Sequence, residues 1–91
     1  MKLENEKALI ITIAEGNTKS FEVLFYSYYP RLKGFICDLL QSPEEAEDIS
    51  QDIFTTLWQN RTSLDKIDNI SAYLFRIAKN AVYRHIERNM L

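Results

Sequence analysis

The chain has 91 residues, 46% hydrophobic and 26% charged, with a net charge of −2, which is enough for one globular domain and not for two. Its single cysteine, Cys37, excludes an internal disulfide, and no apolar run approaches the roughly 18 residues that a membrane span needs. The charge is unevenly spread: residues 1–43 are neutral, residues 44–60 carry five acids and no base, and residues 61–91 have a net charge of +3. An acidic block followed by a basic one is an asymmetry that signals a binding partner.

The opening stretch, MKLENEKALIITIAEGN, lacks the small-residue cleavage pattern of a signal peptide. Cys37 lies between Ile36 and Leu39 and reads as a small buried hydrophobe. A reducing, cytoplasmic setting is therefore expected. The low count of two glycines and two prolines suits helices better than a β-sandwich or barrel.

The first element, from about Glu4 to Glu15, places Leu9, Ile10, Ile13 and Ala14 at helical spacing. Gly16 and Asn17 end it with residues that tolerate positive φ. Asn17 or Thr18 caps a second helix, from about Lys19 to Leu40. Its apolar stripe is Phe21, Leu24, Phe25, Tyr28, Leu32, Phe35, Ile36 and Leu39. Pro30 lies inside this stripe and predicts a kink or a break near Tyr26 to Pro30, since an interior proline costs about 3 kcal/mol. The unchanged phase of the stripe favours the kink. In SPEE, Ser42 is an N-cap, Pro43 fits the first helical position and Glu45 occupies the capping-box site, so a third helix starts at Pro43 and ends near Asn60. TSLDKIDN, Thr62 to Asn69, reads as a loop. A fourth helix starts at Asn69 or Ser71 and runs to about Asn89. The expected fold is all-α, a small bundle of three long helices plus a shorter N-terminal one.

Two helix faces carry more than a core requires. On the third helix Ala46, Ile49, Ile53, Phe54 and Leu57 face inward, with Trp58 at the edge. The opposite stripe is Asp48, Gln51, Asp52, Thr55 and Gln59. Acids in the first turn, Glu44, Glu45 and Glu47, suit the helix dipole. Asp48 and Asp52 do not start the helix, they repel each other at i,i+4, and no base stands three or four residues away. A solvated face is one reading. An Arg-rich partner surface, which would relieve the repulsion by carboxylate–guanidinium pairing, is the other.

On the fourth helix Leu74, Phe75, Ile77, Ala78, Ala81, Val82 and Ile86 cover the inward half. The outward arc holds Tyr73, Arg76, Lys79, Asn80, Tyr83, Arg84 and Glu87. Phenol rings can stack on unpaired bases, Arg and Lys can hold phosphates, and Asn can pair with a base edge. Alternatively the tyrosines sit at the core boundary and the bases solubilise the helix. Arg61, Lys66 and Asn69, in the preceding loop, fall next to the same face.

Catalytic and metal signatures are missing. His85 is the only histidine, no Cys/His ligand cluster or Glu-x-x-His pair occurs, and there is no Gly-rich phosphate loop. No cofactor or metal is expected. His85 projects near the core edge, where a structural role is expected.

In order, SFEVLFYSYYPRL, EEAEDISQDIFTTLW and AYLFRIAKNAV resemble the second conserved region of bacterial RNA polymerase sigma factors of the extracytoplasmic-function class. The resemblance spans roughly Glu4 to Arg88. It implies a non-enzymatic helical bundle whose acidic helix docks on the coiled coil of the clamp in the largest subunit of RNA polymerase. DISQDIF places Asp48, Ile49, Gln51, Asp52, Ile53 and Phe54 on that helix. It also implies that the last helix and the loop before it recognise and melt the promoter −10 element and capture an unpaired base of the non-template strand. That role falls on Arg61 to Asn69 and on Tyr73, Arg76, Lys79, Asn80, Tyr83 and Arg84, with Asn80 in IAKN matching a position near the captured base. An anti-sigma factor is a further partner that the family allows. Members also have a second, helix-turn-helix domain for the −35 element, whereas this chain stops at Leu91, as a fragment or as a shortened protein. The competing reading is a helical protein-interaction adaptor without DNA contact.

Overall fold

In the computed structural model, which describes residues 6–90, the chain forms α1 (Glu6–Ala14), α2 (Thr18–Leu40), α3 (Pro43–Gln59), a 3-10 helix (Arg61–Lys66) and α4 (Ile70–Asn89). There is no strand among the described residues, so the fold is all-α as expected. The expected start of α1 at Glu4 lies outside the described residues.

Side-chain caps set three of the helix starts. The Asn17 Oδ1 accepts from the Ser20 N–H at 3.0 Å, the Ser42 Oγ from the Glu45 N–H at 3.3 Å, and the Asn69 Oδ1 from the Ala72 N–H at 3.0 Å. Each bond satisfies an amide that the first helical turn leaves without a partner. Gly16, with φ at 96°, takes the left-handed conformation that ends α1, and its N–H donates to the Ile13 carbonyl.

Pro30 does not break α2, which is helical from Thr18 to Leu40. The ring removes one N–H, and the carbonyl without its partner belongs to Tyr26. Tyr26 and Pro30 are both exposed, so the missing bond falls on the solvent side, where water can replace it.

α2 is the spine of the bundle, and α1, α3 and α4 all pack against it. Leu24, Tyr28, Leu32 and Ile36, spaced by four, are wholly buried. The stripe continues to Leu40, which packs on the core, so Leu39 is turned out and exposed, contrary to expectation. Near the end of α4 the inward position is held by His85, whose Nε2 lies 3.1 Å from the Glu45 carboxylate. Ile86 is consequently exposed and not part of the core. The segment expected to be a loop is a 3-10 helix over Arg61–Lys66, because Leu64 is buried and anchors it to α1 through the cluster that holds Ile10 and Ile13.

The Tyr28 hydroxyl donates to the Glu6 Oε2 at 2.9 Å. Burial first, and then the Glu6 carboxylate, hold this phenol above its usual range. Ser50 is the one buried polar side chain among the described residues whose oxygen has no partner. An unsatisfied buried hydroxyl costs about 1–3 kcal/mol, and alanine is the better helix former. Ser50→Ala should therefore raise stability by about 1 kcal/mol, or roughly 4–8 °C in Tm, in thermal denaturation followed by circular dichroism. A lower Tm would show that the hydroxyl is hydrogen-bonded in solution.

Candidate functional site

The five acids of α3 separate into two groups once the helices are packed. Glu44 and Glu45 occupy the first turn. Glu45 also faces His85 of α4, and Glu47 lies 3.6 Å from the Lys33 ammonium of α2. The exposed Lys33–Glu47 pair contributes about 0–1 kcal/mol, so it matters more for the placement of charge than for stability. Asp48 and Asp52 make no ion pair among the described residues. Both are exposed, as are Gln51, Thr55 and Gln59.

This polar stripe runs between two grooves. On the α2 side, Phe21, Phe25, Phe54 and Trp58 form an aromatic floor, and Gln51, Thr55 and Gln59 form the rim. Edge-on contacts lock the floor: the Phe25 and Phe54 rings are 5.1 Å apart at 73°, and Phe21 and Phe54 are 6.3 Å apart at 69°. Phe54 is only 3% exposed, so it enters this surface only as part of the groove floor, beneath the exposed stripe. Its inward position follows from its phase with Ile53 and Leu57, so it supports the stripe from below. Apart from Phe54, the aromatic floor lies outside the expected contact surface, although the spacing of Phe21, Phe25 and Tyr29 by four is a usable signal.

On the α4 side an open groove of about 550 Å³ is lined by Ile49, Asp52, Tyr73, Ile77, Arg84 and Arg88, among others. Ile49 is half-buried and packs on the core. Asp52 thus shares a groove with two arginines of the neighbouring helix, a juxtaposition that spacing along α3 alone could not reveal. Arg84 and Tyr73 turn toward this groove, while Arg76, Lys79, Asn80 and Tyr83 remain on the outer face of α4, all exposed. On the outer face the Lys79 ammonium sits 5.9 Å from the Tyr83 centroid, and at the edge of the groove the Arg76 guanidinium sits 5.6 Å from the Tyr73 centroid. In each contact the cation lies over one face of the ring and holds it in place.

The segment before α4 behaves differently from expectation at Arg61. Its Nη1 donates to the Trp58 carbonyl at 2.9 Å, and its guanidinium lies 4.2 Å from the Trp58 ring centroid. Arg61 closes the C-terminal end of α3, where carbonyls lack helical partners. It is half-buried in that role, and the structure does not place it on the outer face of α4. Lys66 is exposed. The Asn69 Oδ1 is committed to capping α4, which leaves its amide nitrogen for an external acceptor. No group of three or more His, Cys, Asp or Glu side chains among the described residues could hold a metal ion. No helix among them is long and apolar enough to cross a membrane.

The family model for sigma-70 region 2 matches residues 24–90. The RNA polymerase sigma-H factor of Pseudomonas aeruginosa is 23% identical over 83 residues, covering 91% of this chain and 43% of the relative. The ECF RNA polymerase sigma factor RpoE of Cereibacter sphaeroides is 31% identical over 62 residues, covering 67% of this chain and 34% of the relative. The chain therefore spans less than half the length of either curated relative. No solved structure matches. With helices α2 to α4 falling inside the matched stretch almost in full, the chain belongs to the sigma-70 region 2 family, a family of non-enzymatic transcription initiation factors.

Proposed function

We propose that this chain is the promoter-recognition domain of an alternative sigma factor, acting in the cytoplasm. α3 docks on the clamp coiled coil of the largest subunit of RNA polymerase. α4 and the segment before it recognise and help to melt the −10 element and hold an unpaired base of the non-template strand. The observation that carries this reading is the separation of surfaces: an acceptor-rich stripe without a base on α3, and a face of cations, rings and an amide on α4. The stripe repels DNA phosphates and suits a basic protein surface. The α4 face suits single-stranded DNA, because stacking on aromatic rings contributes about 1–3 kcal/mol per base and cations neutralise phosphates.

The test is binding of a single-stranded −10 oligonucleotide by holoenzyme assembled with the chain. Asn80→Ala removes an exposed amide that can pair with a base edge and should weaken binding about tenfold, within the ~1–3 kcal/mol of a base-reading contact. Glu22→Ala, at an exposed site on α2, should change nothing. Equal losses at residues 80 and 22 would mean general damage. Polymerase binding with no salt-sensitive contribution to DNA binding would favour an interaction adaptor instead.

A further inference from the structure

α1 lies ahead of residue 24, where the family match begins, yet it is not a loose extension. It packs against both the 3-10 helix and α2. Ile10 and Ile13 share one buried cluster with Leu64, the only buried residue of the 3-10 helix. Beside this apolar anchor runs a polar one. Tyr28 is wholly buried, and its hydroxyl donates to the Glu6 Oε2 at 2.9 Å. One hydroxyl in the middle of α2 thus holds the start of α1 against the bundle. The 3-10 helix that α1 packs on carries Lys66 and leads into Asn69, the cap of α4.

We propose that α1, acting through Leu64 and the Tyr28 hydroxyl, is a brace that positions the DNA-reading segment between α3 and α4. The functional half of this inference rests on the reading of that segment given above. Short 3-10 helices have poor hydrogen-bond geometry and little stability of their own. Residues 67–69 join it to α4 without any regular structure. Such a segment needs outside anchors to stay in one arrangement, and a ligand that requires that arrangement binds more weakly in proportion to its population. The apolar anchor resists separation of the elements but tolerates sliding. The phenol bond is directional and sets the register of α1 on α2, and with it the place of the 3-10 helix that α1 anchors. Tyr28 and Glu6 are positioning residues in this scheme and touch no DNA.

The test uses the whole chain, first alone and then in holoenzyme. Tyr28→Phe keeps the ring and its packing and removes only the hydroxyl. In the free chain, hydrogen exchange at the amides of residues 61–72 should accelerate about fivefold, the equivalent of one net hydrogen bond, while α3 keeps its protection. In holoenzyme, affinity for the single-stranded −10 oligonucleotide should fall by a similar factor with affinity for core polymerase unchanged. Glu6→Ala should behave like Tyr28→Phe, and Glu6→Gln, which retains an acceptor, should restore most of the loss. Unchanged exchange at 61–72, or acceleration spread evenly over α3 and α4, overturns the brace. Faster exchange with intact −10 binding overturns its functional role. A wild-type holoenzyme that fails to bind the −10 oligonucleotide refutes the DNA reading itself, and the exchange data then decide the brace alone.

Discussion

Replacing both Asp48 and Asp52 with arginine should weaken binding to the polymerase clamp by at least about 100-fold while leaving the domain folded. Hydrogen bonds to charged groups contribute about 1.5–3 kcal/mol each, and every 1.4 kcal/mol is about tenfold in affinity. Two lost carboxylate contacts thus account for the two decades, and repulsion between like charges adds to them. The fold should survive because both residues are exposed and neither makes an ion pair among the described residues. Asp52 shares its groove with Arg84 and Arg88, so an arginine there also meets local repulsion. The milder pair Asp48→Asn and Asp52→Asn separates the two effects, since it removes the attraction without adding a cation. Binding of the wild type should weaken with added salt, and that dependence should shrink in the neutralised pair. Isothermal titration with purified clamp protein checks both expectations. Unchanged affinity in a folded double variant would remove α3 as the docking helix.

Phe54→Ala should lower the stability of the fold sharply instead of disturbing a contact. Truncating a buried phenylalanine costs about 3–5 kcal/mol. A domain of this size has a total stability of only about 5–14 kcal/mol. The expected fall in Tm is roughly 12–40 °C. Phe54 sits in the aromatic floor with Phe25, Phe21 and Tyr29 around it, so the vacated volume cannot be filled by a small adjustment of one neighbour. Phe54→Leu keeps much of the volume and provides the discriminating measurement. A core residue predicts a moderate loss of Tm and docking close to that of the wild type in the folded fraction. A contact residue would show the opposite, weak docking with Tm unchanged.

Much of the fold can be read from the sequence because its signals are local. The caps at Asn17, Ser42 and Asn69 depend on one side chain and an amide three residues later, and all three are seen. The phase of the apolar stripes likewise placed the long helices within a few residues of their observed limits. Where sequence reasoning missed, the missing information was non-local. Thr62 to Asn69 carries no helical run, and its 3-10 helix exists because Leu64 meets α1. Leu39 and Ile86 are apolar residues in helical phase, but the neighbouring helices do not cover them. Arg61 reads as a basic loop residue until Trp58 is found beneath its guanidinium.

The same division applies to the surface. Helical periodicity alone separates the acceptor stripe of α3 from its core face, and the cation-and-ring face of α4 from its own, because side-chain direction within a helix follows from residue spacing. It also isolates Asp48 and Asp52 as the acids that helix initiation does not explain. Only the tertiary structure decides what stands opposite each residue. Packing gives Glu45 a histidine and Glu47 a lysine, sets Asp52 across a groove from Arg84, and buries Phe54 beneath the stripe. It also ties α1 to α2 through Tyr28 and packs α1 on the 3-10 helix. Spacing along one helix determines a face, whereas a partner from another helix depends on how the helices cross.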